Sequence, residues 1–118
     1  VHLAVLSNKD HPAAEPLVAR YFGARFDLVQ GRIDAYPPKP AAPITRYVLD
    51  QLDADPASTL YVGDSNVDVA TGHNAGLAVA GVSWGFRGRG ELEAAGADYL
   101  VDTPAELAEL ICAPAATR

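Results

Sequence analysis

The sequence has one cysteine, no methionine, few basic residues and no long apolar run. Because Cys112 stands alone, an internal disulfide framework and a zinc site built from several cysteines are both excluded. Lys and Arg number nine against fifteen Asp and Glu, so the net charge is −6 and a broad basic face for nucleic acid is not expected. The longest apolar stretch is residues 77–86. A membrane-spanning helix needs about 20 apolar residues, which is about twice that length.

The composition that remains is that of an ordinary globular domain. The 118 residues are 49% hydrophobic and 20% charged, which suits one domain or part of a larger one. No basic stretch precedes an apolar one near the N-terminus, so we expect no signal peptide and a reducing, cytoplasmic setting. Because the chain opens without Met on the apolar run from Val1 to Leu6, we also expect that the N-terminal part of a longer protein is missing.

Apolar runs and helical patterns alternate along the whole chain. Strands are predicted over residues 1–6, 26–30, 59–62, 77–82 and 99–101. Helices are predicted from Pro12 to Gly23 and over residues 43–52, 66–75, 91–95 and 103–112. The strands are apolar on both faces, which predicts an α/β fold of three layers with a Rossmann-like parallel sheet. Residues 1–112 would form this core and residues 113–118 a flexible tail.

The polar turn at residues 63–68 carries the strongest chemical signal. Asp64 directly follows a predicted strand, and Asp68 lies four residues later in the first turn of a helix. Carboxylate oxygens in this arrangement suit a hard cation such as Mg²⁺. A purely structural role is also open, because Ser65 followed by Asp68 has the spacing of a helix capping box.

Two further groups follow predicted strands and could bind an anion. Ser7 and Asn8 offer a hydroxyl and backbone N–H groups next to the start of a helix, where phosphate binds readily. Lys39 lies between Pro38 and Pro40, which restrict the backbone and aim the ammonium group. Taken singly, each is as compatible with a polar turn or a solvated loop as with a site. The carboxyl ends of parallel strands share one edge, so we expect these groups and the 63–68 turn to meet there.

Taken together, these segments resemble the haloacid dehalogenase-like (HAD) hydrolase superfamily, in its phosphoglycolate-phosphatase-like branch. The resemblance covers about residues 1–111. It is carried by Leu6-Ser7-Asn8-Lys9, Pro38-Lys39-Pro40, Leu60-Tyr61-Val62-Gly63-Asp64-Ser65-x-x-Asp68, Ala75-Gly76, Gly81-Val82-x-Trp84-Gly85-Phe86-Arg87 and Ala95-Gly96-Ala97-Asp98.

The resemblance implies a Mg²⁺-dependent phosphomonoester hydrolase that acts on a small phosphorylated metabolite such as phosphoglycolate. Ser7 and the backbone of Asn8 would hold the phosphoryl oxygens. Lys39 would neutralise the phosphoryl group and the nucleophile. Asp64 would bind Mg²⁺, and Asp68 would complete the acidic network and orient Lys39.

The sequence departs from the family at its first motif. Enzymes of the family form a phospho-aspartate on the first acid of an Asp-x-Asp pair, and no aspartate precedes Asp10 in this chain. The resemblance therefore implies an incomplete core that lacks the first central strand and the helical cap domain. We expect the missing N-terminal segment of the same protein to supply the nucleophile, and the chain alone to be inactive.

Several readings stay open beside this one. A phosphomutase or a pyrophosphatase would fit the same superfamily, whereas a dehalogenase has no use for an acidic Mg²⁺ site. A catalytically inactive α/β module that binds a partner or a phosphorylated ligand is an alternative of a different class. A phosphoacceptor signalling domain would place paired acids where this chain has Ser7 and Asn8.

Overall fold

The computed structural model describes residues 2–23, 25–85 and 88–112. The chain divides into two compact units, Val1–Ala54 and Asp55–Arg118. The predicted flexible tail, residues 113–118, lies outside the described residues, as do Phe86 and Arg87.

The first unit is built from two strands and two helices. Strand β1 (Ala4–Asp10) pairs in parallel with β2 (Leu28–Arg32), and helix α1 (His11–Phe22) connects them. Helix α2 (Ala42–Gln51) follows the proline-rich loop. Pro12 lies in the first turn of α1, where its missing N–H costs nothing, and Pro16 lies inside the helix. A proline ring inside a helix clashes with the preceding turn, so Pro16 predicts a late start or a kink near it; the helix begins at His11, so there is no late start.

The polar cluster at residues 7–10, predicted to be a turn, lies inside β1. Regular pairing runs from Ala4 to Leu6, the register then shifts, and Asp10 pairs with Arg32. The irregularity lets a run of polar residues stay in the strand without continuing the regular ladder. The polar composition favoured a turn, but pairing with β2 overrides it.

The second unit contains three strands in the order β3 (Leu60–Gly63), β4 (Ala78–Val82), β5 (Tyr99–Val101), all parallel. Helix α3 (Asn66–Asn74) joins β3 to β4, α4 (Arg89–Ala95) precedes β5, and α5 (Pro104–Cys112) follows it. A short 3-10 helix (Pro56–Ser58) precedes β3. The core of this unit is Val69, Val79 and Leu92, each at most 1% exposed. Burying such side chains contributes roughly 1.5–3 kcal/mol each.

Not every strand is as buried as its apolar sequence predicts. Residues 79–82 of β4 are buried, because β4 has a strand on each side. In β3, which lies at an edge of its sheet, Val62 is 39% exposed. In β1 the described residues pair only with β2, and its last three residues are exposed. The prediction of burial on both faces is therefore wrong for β1 and β3.

The α/β class with parallel strands is confirmed, and the predicted elements recur with boundaries shifted by up to four residues. Thr103 and Glu106 have the spacing of a capping box, and the N-cap bond forms: the Glu106 N–H donates to Thr103 Oγ1 at 3.2 Å. Within the described ranges, no helix combines the length and the apolar character needed to cross a membrane.

Candidate functional site

In the first unit, the Ser7 hydroxyl lies at the irregular end of β1. Ser7 is half-buried, and its Oγ accepts a hydrogen bond from the Lys9 N–H at 3.1 Å. This bond is local, because it joins the Ser7 side chain to the backbone of its own strand. The sequence placed a hydroxyl here for phosphate, and the structure places it after the regular part of the β1–β2 ladder.

Asn8 connects the end of β1 to the loop that carries Lys39. Asn8 Oδ1 accepts a hydrogen bond from the Lys39 N–H at 2.9 Å, and Asn8 Nδ2 donates to the Lys39 carbonyl at 3.3 Å. The side-chain amide of Asn8 thus pairs with both the backbone N–H and the backbone carbonyl of Lys39, although the two residues lie 31 positions apart. The structure therefore brings two of the predicted phosphate-binding residues together. The sequence analysis predicted that the Asn8 backbone binds phosphate, and it did not predict that the Asn8 side chain binds the backbone of Lys39.

Two residues that the sequence reasoning left out secure the end of β1. His11 Nδ1 accepts a hydrogen bond from the Gly31 N–H at 2.9 Å. Arg32 donates from Nε to Asp10 Oδ1 at 3.0 Å and pairs with the same oxygen through Nη2. A Cβ at Gly31 would lie 2.4 Å from the Cα of His11, so this close approach requires glycine. The signal in the sequence was Gly31 itself, at the end of an apolar run.

In the second unit, Asp64 and Asp68 lie together at the carboxyl end of β3. Asp68 Oδ2 accepts hydrogen bonds from the Asp64 N–H at 3.0 Å and from Ser65 Oγ at 3.2 Å. Ser65 Oγ in turn accepts from the Asp68 N–H at 3.3 Å, so the predicted capping box forms. One oxygen of Asp68 therefore has a structural function. We call residues 63–68 the acidic turn.

Two glycines make room for the acidic turn. A Cβ at Gly63 would lie 2.3 Å from Asp68 Cγ, and a Cβ at Gly85 would lie 2.2 Å from Asp64 Cβ. A glycine directly after a strand suggests a sharp turn of the backbone, but the φ of Gly63 is not positive, so the close approach of Asp68 is the reason for glycine. Gly85, in the loop after β4, was quoted only as part of a motif.

The part of the chain that runs from the end of β4 into the first turn of α4 also contacts the acidic turn, through Glu91 of α4. Glu91 Oε2 accepts a hydrogen bond from the backbone N–H of Asn66 at 3.1 Å. This part of the chain is anchored to the end of β5 as well: Asp102 Oδ1 accepts from Ser83 Oγ at 2.6 Å and from Arg89 Nη1 at 2.8 Å. The bond from Ser83 and the bond and charge of Arg89 lower the pKa of the Asp102 carboxyl.

The donor set of the acidic turn fits Mg²⁺ as part of a ligand shell. Asp64 and Asp68 are both half-buried and supply hard carboxylate oxygens. Mg²⁺ is often bound through one or two carboxylates, with waters and phosphate oxygens completing its octahedron. Among the described residues, no group of three or more His, Cys, Asp or Glu side chains could hold a metal ion. The acidic turn would therefore offer two carboxylates, those of Asp64 and Asp68, to a metal ion.

Each unit thus assembles its own group of predicted residues. Asn8 and Lys39 are joined in the first, with Ser7 next to them in the chain, and Asp64 and Asp68 are joined in the second. The expectation that both groups meet at one sheet edge stays a prediction.

Comparison with known proteins gives a consistent family. The HAD-hydrolase-like family model matches residues 37–107. Pyrophosphatase PpaX of Bacillus velezensis is 39% identical over 85 residues, which are 72% of this chain and 39% of the relative. The protein named "Probable phosphatase IndB" of Dickeya dadantii is 36% identical over 106 residues, or 89% of this chain and 46% of the relative.

A solved structure agrees with these matches. The crystal structure of a "putative phosphoglycolate phosphatase" from Lactobacillus delbrueckii superposes with a TM-score of 0.90 at 36% identity. It covers 94% of this chain, and this chain covers 46% of it. The chain spans less than half the length of each of these three relatives. The match of the family model over more than half of the sequence shows that this chain belongs to the HAD-like hydrolases.

Proposed function

We propose that this chain is the C-terminal core segment of a Mg²⁺-dependent phosphomonoester hydrolase. The observation that carries the proposal is the hydrogen-bonded pair of Asp64 and Asp68 at the end of β3, in a chain of this family. The nucleophile is an aspartate in a segment N-terminal to Val1, in keeping with relatives more than twice as long as their matched part. The substrate is a small phosphorylated metabolite, and the cytoplasmic setting stays a prediction.

The residues of the first unit would hold the transferring group. The Ser7 hydroxyl and the Asn8 N–H donate to phosphoryl oxygens, and the Lys39 ammonium neutralises the charge that they carry. Asn8 holds the Lys39 backbone from both sides, which fixes where the flexible side chain of Lys39 starts. Because the backbone of Lys39 is held in place, less conformational entropy is lost when its ammonium group binds the phosphoryl group.

The residues of the second unit would hold the metal. Asp64 would offer its carboxylate as a ligand, and the Asp68 carboxylate, which is held in the turn through Oδ2, would complete the acidic network around the metal. When bound, Mg²⁺ withdraws charge from the phosphoryl oxygens and orients them for in-line displacement. The first aspartate of the upstream Asp-x-Asp pair would attack phosphorus, while the second would act as general acid and give its proton to the leaving ester oxygen. The second aspartate would then take a proton from water, which cleaves the phospho-aspartate and releases phosphate.

The test compares the 118-residue chain with the protein extended upstream to include an Asp-x-Asp strand and the segment after it. The extended protein should hydrolyse p-nitrophenyl phosphate with Mg²⁺ and lose activity with EDTA. Lys39→Ala and Asp64→Asn should each lower kcat by about 10²-fold or more. The 118-residue chain should be inactive. Turnover by the chain alone would refute the upstream nucleophile, and an inactive extended protein would refute the hydrolase.

A second candidate is a pyrophosphatase, because relatives named Pyrophosphatase PpaX match at up to 39% identity. The same residues would serve, since hydrolysis of inorganic pyrophosphate also transfers one phosphoryl group, with phosphate as the leaving group. The two candidates are separated by kcat/KM of the extended protein for pyrophosphate and for phosphoglycolate. A preference of tenfold or more, about 1.4 kcal/mol in transition-state binding, would decide between them.

A further inference from the structure

Glu91 is a conspicuous side chain near the acidic turn that the proposed function does not use. It lies in α4 and is therefore not part of the acidic turn. Its Oε2 accepts a hydrogen bond from the Asn66 N–H at 3.1 Å, across 25 positions of sequence. Asn66 is the first residue of α3.

The N–H of Asn66 has no acceptor within its own helix. The first N–H groups of an α-helix point out of its N-terminus and need a partner from elsewhere. Ser65 supplies one acceptor, for the Asp68 N–H, and Glu91 supplies another, for the Asn66 N–H. A carboxylate at this end is also favoured by the positive end of the helix dipole. The first turn of α3 is therefore held by one local and one distant side chain.

A second contact, from the loop after β4, reaches the other side of Ser65. Gly85 packs so closely on Asp64 that a Cβ would lie 2.2 Å from Asp64 Cβ. Gly85, in the loop after β4, thus touches the acidic turn at Asp64, and Glu91, in the first turn of α4, touches it at Asn66. The two contacts lie on either side of the N-cap, Ser65.

We propose that Glu91 is a positioning residue for the acidic turn, which holds Asp64 and Asp68 in the arrangement that binds the metal. The part of this inference that concerns the metal rests on the proposed function. In this inference Glu91 acts on the turn through Asn66, to which it is hydrogen-bonded, and not as a ligand. Its hydrogen-bond acceptor carries most of the effect, and its charge at the helix N-terminus adds a smaller contribution.

The test uses Glu91→Ala and Glu91→Gln, since glutamine keeps a side-chain oxygen that can accept from Asn66 and loses the charge. Glu93→Ala is the matched control, because Glu93 is in the same helix but accepts a hydrogen bond from Arg89 at 3.2 Å. The first readout is amide hydrogen exchange by NMR in the full 118-residue chain. The second is Mg²⁺ titration of the backbone amide signals of Asp64 and Asp68.

Glu91→Ala should speed exchange of the Asn66 amide by about tenfold, the effect of losing one hydrogen bond to a charged group. The Asp64 amide, which donates to Asp68, should exchange at least about threefold faster, because the turn loosens as a unit. Glu91→Gln and Glu93→Ala should stay within about twofold of the parent at both amides. The buried amide of Val79 should keep its rate in every variant, which separates a local effect from unfolding.

In the titration, Glu91→Ala should weaken the apparent Mg²⁺ affinity by about tenfold, and Glu91→Gln should leave it nearly unchanged. Unchanged exchange at Asp64 in Glu91→Ala would overturn the inference, since Glu91 would then only cap Asn66. An equal loss of Mg²⁺ affinity in Glu91→Gln would also overturn it, since charge would then be the cause. If the parent chain binds no Mg²⁺, the proposed metal site fails, and exchange at Asn66 and Asp64 alone decides the positioning role.

Discussion

The side-chain amide of Asn8 lies across the peptide groups of Lys39, accepting from its N–H at 2.9 Å and donating to its carbonyl at 3.3 Å. An amide paired in this way imitates a neighbouring strand, so the loop is held without any regular pairing of its own. The contact lies within the first unit of the chain and joins the end of β1 to the proline-rich segment before α2.

Asn8→Ala should release the loop that carries Lys39. Two hydrogen bonds are lost, and each contributes about 0.5–1.5 kcal/mol, less where water competes at an exposed site. We expect exchange of the Lys39 amide to rise by about tenfold and the free energy of unfolding to fall by about 1 kcal/mol. Amide exchange by NMR and urea denaturation measure the two effects. Lys9→Ala, on the same strand, is the control and should leave the Lys39 amide protected.

Gly85→Ala should displace Asp64. The new Cβ would lie 2.2 Å from Asp64 Cβ and 2.3 Å from its Oδ2, closer than any real contact, so the loop or the carboxylate must move. Forcing a methyl group into such a space costs about 1–3 kcal/mol of stability. Thermal denaturation should show the loss, and the Asp64 amide signal should shift.

Gly90→Ala is the matched control for Gly85→Ala. A Cβ at Gly90 meets no atom of the described residues within 4 Å, and the residue lies in helix α4. Alanine there should raise the free energy of unfolding by up to about 1 kcal/mol, because it restricts the unfolded chain. Equal destabilisation by both substitutions would contradict the explanation from close packing.

Thr45→Val should stabilise the protein, whereas Thr71→Val should not. Both threonines are buried, but Thr45 Oγ1 has no hydrogen-bond partner in the part of the chain that the structure describes, while Thr71 Oγ1 donates to the Val67 carbonyl at 2.7 Å. Replacing an unsatisfied buried hydroxyl by a methyl group of similar shape should add about 1 kcal/mol. Removing the satisfied hydroxyl should cost about 0.5–1.5 kcal/mol. Urea denaturation of both variants gives the comparison, and the same sign for both would refute it.

Asp98 should make stability depend on pH in the acid range. Partial burial of the Asp98 carboxyl raises its pKa, but hydrogen bonds with His73 and the Val79 N–H outweigh this, and the pKa is lowered overall. Asp98 Oδ2 lies 2.8 Å from His73 Nε2 and 2.8 Å from the Val79 nitrogen. A lowered pKa means that the unfolded chain binds the proton more readily than the folded chain.

The contribution of Asp98 is therefore present above its ordinary pKa and is lost as the pH falls below about 4 and through the folded-state pKa. Asp98→Asn should be less stable than the parent at pH 7, by less than about 1 kcal/mol because both paired side chains are more than one-third exposed. The difference should shrink toward pH 3. Urea denaturation at several pH values measures it, and a difference that is constant from pH 7 to pH 3 would argue against this origin.

Local patterns in the sequence were sufficient to predict the elements and their ends. The N-cap bonds at Ser65 and Thr103 form as the capping-box spacing indicates, and Gly96 ends α4 in the left-handed region at φ 84°. These signals act within one helical turn, so no distant partner is needed for them to operate. The order of parallel strands and helices follows from the same alternation.

The sequence also identified Asp64 with Asp68, and Lys39 with Ser7 and Asn8, as the chemically informative residues. It could not say which atoms of these residues meet. The Asp68 carboxylate serves the turn through one oxygen, and Asn8 uses its side chain on Lys39. Each contact depends on an orientation that composition and spacing do not specify.

Only the tertiary structure decided the contacts between distant segments. Asn8 reaches Lys39 across 31 positions, Glu91 reaches Asn66 across 25, and Gly85 packs against Asp64. Such contacts depend on which strands become neighbours and how closely their loops approach, and this is set by the packing of the whole unit. The sequence by itself determined the elements, their caps and the acidic and basic residues that follow the strands, because those features rest on the chemistry of a few adjacent residues.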